Sequence, residues 1–134
     1  MKTLNRVELI GNLAADPDVR QTTSGITVAN FAIATHRLWK TPDGTEKKAV
    51  DYHRVVAWHK LGQICGEFLK KGSSVFVEGE LRTRDYESKD GGKRYITEIK
   101  AENINILTWK KNKSGQPDAE LNPINKDEEV EDVD

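Results

Sequence analysis

The sequence holds a single cysteine, Cys65, so neither an internal disulfide nor a cysteine-based zinc site can be built. That removes the disulfide-stapled and zinc-finger classes together, and leaves packing or self-association to hold the fold. No stretch of about 18 apolar residues occurs, which excludes a membrane-spanning helix. The opening MKTLNRVELIGNL lacks the long apolar segment and small-residue cleavage site of a secretory signal, and a cytoplasmic location is expected. Phosphate cradles of the P-loop or G-x-G-x-x-G kind are missing. The glycines stand singly, as at Gly11, Gly62, Gly66, Gly72 and Gly79, which suits bulges, helix ends and close packing. The histidines, His36, His53 and His59, form no H-E-x-x-H pattern or His-Asp-Ser arrangement and read as structural or surface residues. No catalytic residue, metal or cofactor is expected, and the chain reads as a binder rather than an enzyme.

What is present is enough apolar residue for one core, and an uneven charge. At 134 residues, 36% hydrophobic and 32% charged, the chain is sized for one domain. Its formal charge of −1 averages two unlike parts. Residues 1–113 carry 20 Lys and Arg against 14 Asp and Glu, whereas residues 114–134 carry eight acids and only Lys126 as a base. A basic body with an acidic tail points to a polyanion-binding domain with an interaction segment.

Along the body, period-2 alternation marks a strand from Leu4 to Leu13, with Val7, Leu9, Gly11 and Leu13 on one side, broken at Asp16-Pro17-Asp18. A second strand is expected from about Thr27 to His36, with Phe31 and Ile33 inward. The turn chemistry of Thr41-Pro42-Asp43-Gly44-Thr45 then makes the tip of a long hairpin that returns from about Val50 to Trp58. Leu61, Ile64, Cys65, Phe68 and Leu69 trace one helical face between His59 and Lys70, and Lys70-Lys71-Gly72 supplies a basic last turn with a glycine stop. Alternation resumes from Ser74 to about Tyr86, with Val75, Val77, Gly79 and Leu81 on one side, and Asp90-Gly91-Gly92 leads into a last strand system from Lys93 to about Trp109. Phe31, Phe68 and Phe76 are core candidates.

Three strands, one helix and two strands, with two long hairpins, fit an all-β fold with one helix: a five-stranded, partly open barrel of the OB type. Residues 1–112 form this domain. Residues 113–134, without aromatics and rich in Ser, Gly, Gln, Pro, Asn and acids, are expected to be a disordered tail.

Strand alternation puts Tyr52, Arg54, Val56 and Trp58 on one face of the third strand and Asp51, His53, Val55 and Ala57 on the other. On the fourth strand, Glu80, Arg82, Arg84 and Tyr86 lie opposite the apolar row, and Trp39 and Lys40 flank the first hairpin turn. Any one of these rings alone is more often a packing residue. Four rings, Trp39, Tyr52, Trp58 and Tyr86, interleaved with Arg54, Arg82 and Arg84 suit unpaired nucleobases, which stack on aromatic faces while cations meet the phosphates. Duplex reading fits poorly, because the one helix has no helix-turn-helix partner and little basic charge at its amino end. The rival reading is an OB module that mainly binds protein, a primosome-like factor with weak nucleic-acid affinity.

The segments NRVELIGNLAADPDVR, VDYHRVVAWHKLGQICGEFLKKGSSVFVEGELRTRDY and YITEIKAENI resemble the bacterial-type single-stranded DNA-binding protein family over about residues 3–109. The resemblance implies a non-enzymatic protein that coats single-stranded DNA during replication, recombination and repair, generally a homotetramer, cytoplasmic and nucleoid-associated. It matches Trp39, Tyr52, Trp58 and Tyr86 to the family's base-stacking positions, with tyrosine at 52 and 86 where tryptophan is common. It implies phosphate contacts at Arg54, Arg82 and Arg84, and also at Lys60 and Lys71. It further implies replication and repair partners docking on the acidic tail, here Asp127, Glu128, Glu129, Glu131, Asp132 and Asp134. The family's Asp-Ile-Pro-Phe-like tip is absent from this sequence, with only Val130 and Val133 in its place, and this departure weighs against that docking.

Overall fold

The computed structural model describes residues 1–108. The expected acidic tail, with Asp127, Glu128, Glu129, Glu131, Asp132 and Asp134, lies outside the described residues, as does Trp109. Six strands and one helix follow in the order β1 (Val7–Leu13), β2 (Asp18–Gln21), β3 (Thr27–Lys40), β4 (Glu46–Trp58), α1 (His59–Phe68), β5 (Ser74–Glu87) and β6 (Lys93–Ile106). Five of the strands close on themselves in the order β1-β5-β6-β4-β3. The closing β3–β1 pairing is carried by Leu13 opposite Ile33 and Asn12 opposite Ala34. This is the expected five-stranded OB-type barrel. Among the described residues no helix is long and apolar enough to cross a membrane.

The core is built from the inward positions that alternation marks: Leu13, Phe31, Ile33, Val55, Ala57, Val75 and Val77, joined by Ile99, Ala101, Ile104 and Ile106 of β6. On β6 the apolar phase changes from odd to even residues between Ala101 and Ile104. A bulge opposite Glu78 and Gly79 inserts the extra residue that makes both phases point inward. Gly79 sits at this irregularity with its backbone so close to β6 that a Cβ would lie 2.2 Å from the Lys100 carbonyl oxygen. Helix α1 packs on one end of the barrel through Cys65 and the partly buried Leu61 and Phe68. Burial among apolar atoms pushes the Cys65 thiol up to about 12, leaving it a packing residue.

Several expectations are corrected. β2 was not foreseen: its four residues are all exposed, so they carry no alternation, and pairing with β3 together with Val19 against Gly66 of α1 holds them. β3 and β4 extend to Lys40 and from Glu46, beyond the expected His36 and Val50. The added rungs form an arm with solvent on both faces, where burial leaves no pattern to read. α1 ends at Phe68, and Leu69 is already extended, so Lys70 and Lys71 belong to the following turn and the helix has no basic last turn. Leu81 is exposed because β5 leaves the barrel beyond Gly79. Phe76 lies outside the core, on the outer face opposite Ile10, because it alternates with the buried Val75 and Val77.

Candidate nucleic-acid interface

Cross-strand partners share a face, so the pairing registers define one continuous outer surface over β4, β6 and β5. Val56 lies beside Lys100, and Lys100 opposite Glu80; one pleat away, Glu98 faces Arg82, and Tyr86 faces Arg94 further out. The row Tyr52, Arg54, Val56 and Trp58 therefore meets the row Glu80, Arg82, Arg84 and Tyr86 across β6. Between them runs an open groove of about 540 Å³, lined among others by Val56, Trp58, Arg82, Arg84, Glu98 and Lys100. Val56 is buried in its floor, although it shares a face with exposed Tyr52 and Trp58.

All four candidate rings are open to solvent: Tyr52 is 66% exposed, Tyr86 46%, Trp39 44% and Trp58 38%. They do not share one face. Val28 pairs with Trp58 and Ala34 with Tyr52 in an unbroken register, which leaves Trp39, five residues beyond Ala34, on the opposite side of the hairpin with Ile33 and Arg37. There the Arg37 guanidinium carbon stands 5.3 Å from the centre of the Trp39 ring, while its Nε donates to Asp51 Oδ2 at 2.6 Å. That hydrogen bond is the main reason the Asp51 carboxyl is held below the ordinary carboxylate range. The cation stacked on Trp39 was not evident beforehand, although the i, i+2 spacing of Arg37 and Trp39 on a strand carries the signal.

The cations differ in how free they are. Arg54 has no ion-pair partner among the described residues, and neither has Lys100, which sequence reading missed because the β6 bulge disguises its phase. Arg82 donates from Nε to Glu80 at 2.6 Å, and Arg84 from Nε to Glu98 at 2.8 Å. The Glu98 side chain is only 11% exposed, and its second oxygen is buried with no hydrogen-bond partner among the described residues. Four cations, Arg54, Arg82, Arg84 and Lys100, thus face two carboxylates, Glu80 and Glu98. Lys60 is exposed on the first turn of α1, next to the groove end. Lys71 is not brought to the groove: it lies beyond the far end of the helix, roughly 15 Å along its axis, where its backbone N–H is fixed by Asp16 at 2.8 Å. Tyr86 stands toward the tip of the β5–β6 arm, where it lines a second hollow of about 440 Å³ with Asp85, Glu87, Gly91 and Lys93.

Comparison with known proteins gives the same frame. The profile of the Single-strand binding protein family matches residues 4–107. The chain is 46% identical over 108 residues to the Single-stranded DNA-binding protein 1 of Xylella fastidiosa, covering 80% of this chain and 79% of the relative. It is 44% identical over 117 residues to the protein of the same name from Chlorobaculum tepidum, covering 87% of this chain and 72% of the relative. A solved structure described as a Plasmodium falciparum SSB complex with ssDNA superposes with a TM-score of 0.75 at 30% identity, over 81% of this chain and 98% of that one. A deletion mutant of the single-stranded DNA binding protein from Thermus aquaticus superposes with a TM-score of 0.69 at 36% identity, over 78% of this chain and 51% of that one. With a barrel of this topology, an open face of rings and cations, and a family profile spanning nearly all of the described residues, the chain belongs to the single-strand binding protein family.

Proposed function

We propose that the chain binds single-stranded DNA without reading its sequence, and so shields exposed strands during replication, recombination and repair. One observation carries the reading: Trp58, Arg82, Arg84 and Lys100 line the same open groove, a ring with cations beside it. Bases stack on the rings at about 1–3 kcal/mol each, whatever their identity, and the phosphates meet Arg54, Arg82, Arg84 and Lys100. Tyr52 and Tyr86 extend the track along the two strands. Trp39 receives the strand on the other side of the β3–β4 arm, which suits a path that wraps around the barrel. Lys60 adds a cation where the strand passes α1; Lys71 contributes only if the strand continues around the helix.

The chain acts as a homo-oligomer, with a homotetramer the expected form. Two features support self-association. β1 pairs with β5 along its length but with β3 only at Asn12 and Leu13, so one edge of Val7–Ile10 faces no strand among the described residues. The outer face of the same strand exposes Ile10 beside Phe76. The acidic residues 127–134 supply the charge for docking replication and repair proteins, but the missing Asp-Ile-Pro-Phe-like tip weighs against it; the location is cytoplasmic, with the nucleoid.

Titration with a dT oligomer, followed by tryptophan fluorescence and sedimentation, tests the reading. Quenching with saturable binding of a tetramer is expected. No quenching and no shift in sedimentation would favour the protein-binding OB module instead.

A further inference from the structure

His59 is the one non-glycine among the described residues whose backbone lies in the left-handed region, at φ +60°. The other positive-φ positions, Gly25, Gly44, Gly72 and Gly91, are all glycine. A side chain at such a position strains the backbone, although histidine tolerates it better than most. No side-chain contact of His59 among the described residues compensates for it. The imidazole is exposed and makes no hydrogen bond or ion pair among the described residues. It lines the groove at the Trp58 end, with Ile26 and Val56 as apolar neighbours. The charged groups facing it are Arg82 and Arg84 from β5 and Glu98 and Lys100 from β6, with Lys60 next along α1. Cations are already plentiful there, so what the imidazole adds is a second flat ring beside Trp58.

We propose that His59 is a further base-stacking residue of this groove, kept in a strained backbone position because its ring contacts the nucleic acid. The proposal rests on the single-stranded DNA reading above. It predicts opposite signs for two measurements on one variant. His59→Gly removes the strain and should raise the thermal midpoint by about 2–5 °C, while weakening binding of a dT oligomer about fivefold or more. His59→Tyr, which keeps a ring, should bind within about twofold of the parent chain. His59→Asn, which tolerates the same backbone and keeps a hydrogen-bond donor but has no ring, should bind as weakly as the glycine variant. Unchanged affinity in His59→Gly would overturn the proposal, and parent-like affinity in His59→Asn would overturn the stacking role. Failure of the parent chain to bind the oligomer would instead overturn the functional reading itself, so the two failures are distinguishable.

Discussion

Trp58 and Trp39 lie on opposite faces of one hairpin, so they should report different parts of a bound strand. A dT oligomer of about eight nucleotides, within the range one OB fold holds, should quench Trp58 and leave Trp39 nearly unchanged, and a longer one should quench both. Trp39→Phe and Trp58→Phe variants, each made in a Trp109→Phe background, separate the two signals, and equal quenching by the short oligomer would refute the two-face arrangement. Trp58→Ala should cost about 1–3 kcal/mol of affinity with little change in salt dependence. Arg54→Ala should reduce the log–log salt slope by about 0.7. Arg84 should respond less than Arg54, because Glu98 already neutralises it in the free protein. Glu98 takes up the Arg84 charge in the free protein, and its other oxygen is buried without a hydrogen-bond partner among the described residues. Glu98→Gln should therefore tighten binding several-fold and steepen its salt dependence, as measured by titration at several salt concentrations; weaker binding would mean that Glu98 chiefly aims Arg84. Trp39 was placed only beside the first hairpin turn and Arg37 was missed, because β3 runs on past His36. Tyr52, Trp58, Tyr86, Arg54, Arg82 and Arg84 were legible from alternation, since each lies on an expected strand. Glu98 and Lys100 were not, because an inserted residue in β6 puts the strand out of phase with itself.

Secondary-structure elements were legible where side chains alternate or follow helical spacing, and illegible where they carry no period. β1, the barrel halves of β3 and β4, α1, β5 to near its end at Tyr86 and the start of β6 at Lys93 could be read. The β3–β4 arm beyond His36 and before Val50, and β2, could not, since pairing there depends on backbone hydrogen bonds that leave no trace in side-chain polarity. The β5–β6 bulge is where the barrel part becomes arm, and Gly79 holds it closed. Gly79→Ala would force a Cβ against a backbone carbonyl that cannot yield, and should destabilise the fold by about 1–3 kcal/mol or more in denaturant unfolding. An unchanged midpoint would show that the strands can part there freely. At the other arm, Asp43 accepts hydrogen bonds from the Thr41 hydroxyl, its largest influence, and from the Thr45 backbone N–H, which lowers its carboxyl to about 2. A depressed carboxyl stabilises the turn fully above its unfolded value, near 3.8, and loses that contribution as pH falls towards 2. The protection of the Thr45 amide relative to its intrinsic exchange rate should fall over that interval, and Asp43→Asn should abolish this pH dependence.

At the scale of the whole molecule, the two unsatisfied features of β1 point in different directions: a strand edge within the sheet and an apolar patch perpendicular to it. In the proposed homotetramer, the same edge of a second copy, related by a two-fold axis, would supply a strand in register. That contact would make a dimer whose extended sheet presents two copies of the Ile10–Phe76 face. Pairing two such faces about further two-folds would give a closed tetramer of dihedral symmetry. The ion pairs of Arg6 with Glu8 and Glu78 border this face and would form the polar rim of such an interface. The order of dissociation follows. Ile10→Asp puts a charge at the centre of the face while leaving the strand edge intact, so sedimentation should show a dimer in place of the tetramer. The barrel should stay folded, since Ile10 is 63% exposed in the single chain. Short dT oligomers, which need one groove, should bind the variant nearly as well as the parent. On the proposed wrapping path from copy to copy, long ones should bind less tightly because the linked sites are lost. A variant that remains tetrameric would mean that the apolar face is not where the dimers meet, and the homotetramer would then need a different surface.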